Sequence, residues 1–133
     1  MRRTFLDSGV LLAAIRSAGQ DREQALQLLE DPDCLFLTSP FVHLELVPKA
    51  QFHKKRLEVR FYEEYFRNAE WCRDLDEIER VAQREAMKSG LSAMDALHVA
   101  EAYLGQADEL VTTERPEKPL FRTMLIKVKY LFS

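Results

Sequence analysis

The chain has 133 residues, of which 47% are hydrophobic and 31% are charged. This size and composition suit one compact domain with one core, so we expect a single domain over residues 1–133. A formal net charge of -3 excludes a protein that coats nucleic acid by bulk charge alone, because such binding needs many contacts from Lys and Arg to phosphate.

Short apolar runs alternate with segments of helical spacing in the first half of the chain. Ser39-Pro40 predicts a helix start, because Ser caps free N–H groups and Pro is tolerated in the first helical turn. Pro48 is expected to end or bend that helix near Lys49, since proline has no N–H to donate. The predicted elements are a strand at 4–6, helices at 10–15 and 21–30, a strand at 35–38 and a helix from residue 40.

The second half of the chain continues the alternation of strands and helices, and glycines mark the ends of two of its helices. Gly90 and Gly105 stand where two helices are expected to stop. The predicted elements are a long helix or helical hairpin at 51–68, an edge strand at 71–73, helices at 75–88 and 92–104, and strands at 110–112 and 124–131. Strands alternating with helices predict an α/β fold of three layers, α/β/α, around a central, mainly parallel sheet of four or five strands.

Four carboxylates stand beside these apolar elements. Asp7 ends the first strand, Glu45 lies on the helix after the second, Asp95 is in the first turn of a late helix, and Glu114 follows the strand at 110–112. Ligands of open α/β sheets gather at the carboxyl ends of the strands, so the four acids are expected to face one cavity. Their repulsion makes such a cluster costly until a divalent cation binds, and Mg²⁺ or Mn²⁺ suits oxygen ligands.

Each acid also has an ordinary structural explanation. Asp7 is a candidate cap for the helix near Val10, with Ser8 competing for the same position. Asp95 has capping-box spacing from Ser92. Glu45 is an ordinary exposed helix residue under this interpretation, and Glu114 an ordinary turn residue.

The ordered motifs resemble those of the PIN-domain family of metal-dependent ribonucleases, which includes the VapC-type toxins of toxin–antitoxin pairs. In that family an Asp ends the first strand, a Glu follows the second, an Asp opens a late helix, and T-T-D closes the fourth strand. The matching positions are Asp7, Glu45, Asp95-Ala96-Leu97 and Thr112-Thr113-Glu114. The family's last Asp is Glu114 here, and its D-x-D-F continuation is replaced by a segment with two prolines, in which Glu117 is a second candidate for the fourth acid.

The resemblance implies a PIN-like fold and a divalent-metal-dependent endoribonuclease that hydrolyses RNA with Mg²⁺ or Mn²⁺. It implies that Asp7, Glu45, Asp95 and Glu114 are both the catalytic residues and the metal ligands. It further implies a toxin role, a small antitoxin partner and a homodimer. The alternatives are a catalytically silent PIN-like binding module and a non-toxin RNA-processing nuclease. A phosphatase with a D-x-D nucleophile is disfavoured because Gly9 stands two residues after Asp7.

Supporting groups surround these motifs. Ser8 and Thr113 are candidates to orient carboxylates through their hydroxyls, and His98 is interpreted as a packed histidine. Cationic patches at 53–56 with Arg60, and at Arg115, Lys118 and Arg122, are candidates for contact with RNA. For the first patch an ordinary solvated helix face is the favoured interpretation, and the second is the stronger candidate because it follows Glu114. An aromatic row is expected to fill the core or meet a partner, and its members are Phe52, Phe61, Tyr62, Tyr65 and Phe66.

The cysteines and the N-terminus bear on cellular location. Cys34 and Cys72 lack CxxC spacing and are expected to be reduced thiols, as in a cytoplasmic protein. The apolar stretch after Met1 is broken by Asp7 and Arg16, so we expect neither a signal peptide nor a membrane span.

Overall fold

The central feature of the computed structural model, which describes residues 1–133, is a five-stranded sheet. All neighbouring strands are parallel, in the order β3-β2-β1-β4-β5. The strands are β1 (Arg2–Leu6), β2 (Cys34–Thr38), β3 (Glu70–Trp71), β4 (Glu109–Thr112) and β5 (Val128–Tyr130). The three-layer α/β/α arrangement predicted from the alternating pattern is confirmed.

Six helices connect the strands, and several begin or end at the residues that the sequence indicates. Ser39 and Ser92 each accept a backbone N–H at the start of a helix, and Gly90 ends another in the left-handed region at φ 67°. The helices are α1 (Ser8–Arg16), α2 (Gly19–Leu29), α3 (Pro40–Phe52), α4 (Arg56–Asn68), α5 (Leu75–Ser89) and α6 (Ala93–Leu104), with a 3₁₀ turn at Pro119–Arg122.

Several predicted boundaries are wrong, among them the end of α3, the edge strand predicted at 71–73, which is Glu70–Trp71, and the bounds of β5. Helix α3 does not end near Lys49 but runs through Pro48 to Phe52. Pro48 and Leu44 are both exposed, so water can reach the carbonyl that loses its hydrogen bond to proline. Strand β5 is also shorter than the predicted 124–131, and its three residues pair with Leu110–Thr112 of β4.

The core is built on the three central strands. Phe5, Leu6, Leu37 and Leu110 are fully buried there, within a cluster of 22 buried apolar residues. Most of the aromatic row also packs inside, since Tyr62, Tyr65 and Phe66 are buried, whereas Phe52 is 80% exposed. Cys34 and Cys72 are free thiols, as predicted. None of the helices has both the length and the apolar character needed to cross a membrane.

Gly105 follows α6 for a steric reason, not a conformational one. Its φ of -77° is open to any residue. A Cβ at this position would lie 2.6 Å from Cys72 Sγ and 3.1 Å from the carbonyl oxygen of Glu101. The absence of a side chain therefore lets the end of α6 lie against the segment that follows β3.

We expect Gly105→Ala to lower the free energy of unfolding by about 1–3 kcal/mol, because the added methyl overpacks this contact. Urea denaturation measures the effect. Cys72→Ala removes the sulfur, so the same glycine substitution should cost less in that background. An equal cost in both backgrounds would show that the clash with Cys72 is not the cause.

Candidate active site

The candidate site lies at the carboxyl end of β1, where the order of the strands in the sheet changes direction. β1 is flanked by β2 on one side and β4 on the other, so the connections leave its carboxyl end in opposite directions. Leu6 pairs with Val111, which places Asp7 and Glu114 after neighbouring strands at one edge. Such a switch point is where open α/β sheets bind ligands.

Asp7 is held by two donors at this edge. Its Oδ1 accepts the backbone N–H of Val10 at 3.3 Å, so Asp7, not Ser8, caps α1. Its Oδ2 accepts a hydrogen bond from the Thr112 hydroxyl. Burial raises the pKa of Asp7 to about 6, and the negative charge of Glu114 adds to this, although Thr112 and His98 oppose it. The carboxylate form is therefore costly in the free protein.

Thr112 takes the orienting role that the sequence analysis gave to Thr113. Its hydroxyl contacts Asp7 and also accepts the Glu114 backbone N–H at 3.0 Å. Thr113 instead lies against Gly9, where a Cβ would stand 2.3 Å from the Thr113 hydroxyl oxygen. Two adjacent threonines carry no sequence signal for which of them faces Asp7, since the choice depends on the register between β1 and β4.

Asp95 and Glu114 lie close enough to interact electrostatically. Ser92 caps α6 by accepting the Asp95 N–H at 3.4 Å, but the Asp95 carboxylate makes no return bond, so the capping box is only half formed. Neither the Asp95 nor the Glu114 carboxylate accepts a hydrogen bond from the protein. Burial raises the pKa of Glu114, and the charge of Asp95 raises it further, while Lys118 opposes both. Glu117, the other candidate for the fourth acid, is exposed.

Glu45 reaches the site through a histidine. Its Oε1 lies 2.8 Å from Nε2 of His98, and its side chain is 32% exposed. His98 is buried, and its other ring nitrogen, Nδ1, lies 3.0 Å from Oε1 of Glu101. His98 is thus more than a packed histidine, because both of its nitrogens meet carboxylates.

Glu101 anchors this bridge, and sequence reasoning missed it. Its side chain is fully buried, its Oε1 also accepts the Ser39 hydroxyl at 2.8 Å, and its Oε2 has no hydrogen-bond partner. Burial lowers the pKa of His98, but Glu101 and Glu45 outweigh that cost and raise it to about 10. His98 is therefore an internal cation. The spacing of His98 and Glu101 by three on an apolar helix was the available signal.

Carboxylate oxygens at the site are of the chemical type that binds a hard divalent cation, but the side chains do not enclose such an ion. Asp7, Asp95 and Glu114 interact electrostatically, and carboxylate oxygens are the ligands that Mg²⁺ and Mn²⁺ prefer. However, no group of three or more His, Cys, Asp and Glu side chains is gathered closely enough to hold a metal ion. The assignment of the four acids as metal ligands therefore stays a prediction.

We expect Asp7→Asn to stabilise the protein at pH 7 by about 1–3 kcal/mol when a chelator is present. The folded pKa of about 6 lies above the unfolded value, so stability present at low pH is lost as the pH rises to 6, and a neutral amide avoids this loss. Thermal unfolding at several pH values measures it. The two stability curves should meet below about pH 4. A variant that is less stable at pH 7 would show that loss of the hydrogen bond from the Thr112 hydroxyl outweighs relief of the charge.

His98 should give a pH dependence of the same sign, but in a higher pH window. Its folded pKa of about 10 lies above the unfolded value, so its stabilisation is complete below about pH 6.5 and is lost as the pH rises to 10. We expect the unfolding free energy of His98→Gln to fall less steeply in that window than that of the unsubstituted protein, by up to about 1.4 kcal/mol per pH unit. His53→Gln, at an exposed histidine, is the control. Parallel curves for all three proteins would contradict the internal cation.

Comparison with solved structures shows the same fold. VapBC2 from Rickettsia felis, bound to a DNA fragment from its promoter, matches with a TM-score of 0.73 at 18% identity over 96% of this chain and 98% of the other. A toxin–antitoxin complex from Klebsiella pneumoniae matches with a TM-score of 0.71 at 18% identity over 96% and 97%. FitAcB from Neisseria gonorrhoeae matches with a TM-score of 0.66 at 16% identity over 97% and 98%.

These comparisons correct the family assignment made from the sequence. No family model matches the chain, and no curated protein matches it. The Klebsiella pneumoniae structure is described as a toxin–antitoxin complex, so the likeness does not say which component this chain corresponds to. Membership of the VapC-type ribonucleases is therefore wrong as a conclusion from the short motifs. The chain has a PIN-like three-layer fold, and its likeness to these proteins is one of fold.

Proposed function

We propose that this protein is a divalent-metal-dependent endoribonuclease that hydrolyses phosphodiester bonds of RNA. The observation that supports the proposal is the position of Asp7 and Glu114 at the switch point of the sheet, where Glu114 repels both Asp7 and Asp95. Two of these carboxylates have no donor from the protein. Negative charge kept uncompensated at a ligand-binding edge is explained by a cation that binds there.

Asp7, Asp95 and Glu114 would hold Mg²⁺ or Mn²⁺, with Glu45 completing the set directly or through water. When bound, such an ion supplies a water of lowered pKa and neutralises charge on the phosphate. Asp7 is already oriented by Thr112. Glu45 is oriented by His98, and in the proposed reaction it accepts the proton of the attacking water. Lys118, which acts electrostatically on Glu114, attracts the negatively charged strand.

The proposal extends to partners. The similar structures include a toxin–antitoxin complex and VapBC2 bound to promoter DNA, which supports an antitoxin protein as the partner of this chain and a toxin role for the nuclease. We also propose that two copies of the chain associate. A short neighbouring reading frame that encodes a DNA-binding antitoxin would support this role, whereas its absence would favour a solitary RNA-processing nuclease.

One observation favours a second candidate function. No three acidic or other ligating side chains are gathered around one point, which is what a catalytically silent PIN-like binding module would show. In that case the longer side chain of Glu114, where the ribonuclease motif has Asp, has removed the metal. The two candidates differ in whether the purified chain binds a divalent ion.

Calorimetric titration with Mn²⁺ and an assay of RNA cleavage separate these candidates. We expect binding that is lost in Asp7→Asn and Asp95→Asn, and cleavage that falls at least about 100-fold in both, because each loses a charged ligand. Glu114→Gln should weaken metal binding as well. Glu117→Gln is the matched control, since it changes the same residue type three positions along, and it should leave both measurements unchanged.

Absence of Mn²⁺ binding at millimolar concentration would support the silent module instead. RNA cleavage that persists in Asp95→Asn would remove the assigned site. If Glu117→Gln were the more damaging of the two glutamate substitutions, the fourth acid would be Glu117. Growth arrest on expression in a bacterial host tests the toxin role separately.

A further inference from the structure

A second charged feature lies at the corner between α3 and α4. A cavity of about 460 Å³ opens there, lined by the cations Lys54, Lys55, Arg56 and Arg60 and by one carboxylate, Glu63. We call this cavity the basic corner. Four cations around one cavity are notable in a chain whose formal net charge is -3.

The charges of the basic corner are only partly balanced within the protein, by Glu63 in the lining and by the attraction of Lys55 to Glu58. None of its four cations forms an ion pair. The nearest acid of the first turn of α4, Glu58, is already engaged by Arg16 at 2.9 and 3.1 Å and by the Tyr62 hydroxyl at 3.1 Å. The corner therefore presents a local positive potential that attracts an anion.

The backbone at this corner brings the cations together. Lys54 adopts the left-handed region at φ 55°, and Lys55 N–H donates to the carbonyl of Ala50 at 2.9 Å, which reverses the chain between the two helices. Lys55 then precedes α4 without capping it through its side chain. The first turn of α4 thus adds the positive end of its dipole to the charge of the side chains.

Apolar side chains beside the cations indicate which anion fits. Phe52 is 80% exposed and packs edge-on against His53 with ring centroids 5.1 Å apart, and Leu57 is 75% exposed. A free phosphate ion, or a peptide whose side chains are all acidic, gains nothing from an exposed aromatic ring. A single-stranded nucleic acid does, since its backbone follows a basic groove while its bases stack on aromatic side chains.

The basic corner is connected to one of the four acids, Glu45, along the same helix. Glu45 and Gln51, which lines the cavity, are both on α3, and six residues of helix span about 9 Å. We infer that the basic corner binds the sugar-phosphate backbone of single-stranded RNA, with Phe52 stacking a base. The inference rests on the proposed ribonuclease function for placing the scissile phosphate at the carboxylates, and it names where the rest of the strand is held.

Fluorescence anisotropy of a labelled oligouridine of about 12 nucleotides, with EDTA and no metal, tests this binding apart from cleavage. We expect Lys55→Ala/Arg60→Ala to weaken binding at least tenfold and to lower the slope of log K against log salt by about 1.4, the value for two lost phosphate contacts. Phe52→Ala should weaken binding about fivefold or more without changing that slope. All three side chains are exposed, so the fold should be retained, which circular dichroism checks.

Arg22→Ala/Lys127→Ala is the matched control, because it removes one exposed Arg and one exposed Lys elsewhere. It should change the Kd less than twofold.

Equal weakening by both double variants would overturn the inference in favour of diffuse charge attraction. Displacement of the RNA by polyglutamate, with Phe52→Ala having no effect, would overturn it in favour of an acidic protein segment. RNA binding that depends on the corner but never leads to cleavage with Mn²⁺ would leave this inference standing and refute the ribonuclease. Cleavage that is unaffected by Lys55→Ala/Arg60→Ala would refute this inference and leave the proposed ribonuclease function standing.

Discussion

The parallel pairing of β1 with β4 is the constraint on which the candidate site depends. These strands are separated by about a hundred residues of chain, yet the register of Leu6 with Val111 places Asp7 beside Thr112 and Glu114. Hydrogen bonds of the sheet and a fully buried core on both strands hold that register against the repulsion between the carboxylates. The unfavourable free energy of the repulsion between the carboxylates is thus offset by the burial of apolar side chains elsewhere.

The buried charges of the site lie in two different electrostatic environments. At Asp7 the charge is poorly compensated, so the pKa of the carboxyl rises to about 6. Around His98 the charges are compensated internally, because an imidazolium lies between Glu45 and Glu101. The first arrangement leaves the protein receptive to an added cation. The second fixes the orientation of Glu45 whether or not a cation is bound.

Similarity to solved structures establishes the fold of this chain, whereas its short motifs do not establish a family. Structures at 16–18% identity share the arrangement of strands over nearly the whole chain, while no family model recognises the sequence. Short motifs such as an Asp after a strand or T-T-E are compatible with many proteins, so their order suggested a family that the comparisons do not support. The same order described the fold correctly, because strand and helix spacing reflects burial, which the tertiary structure preserves even where sequence similarity has been lost.

The sequence by itself determined the layers, the helix starts at Ser39 and Ser92, and the strand that ends just before Asp7, because capping and periodic burial act over a few residues. It also placed Asp7 and Glu114 at one edge once the strands were assumed to be neighbours. Only the tertiary structure decided that Thr112 and not Thr113 meets Asp7, that Glu101 anchors His98, and that Pro48 remains inside a helix. Each of these depends on contacts or solvent access set by strand register and helix packing, and such relations between distant residues leave no mark on local spacing.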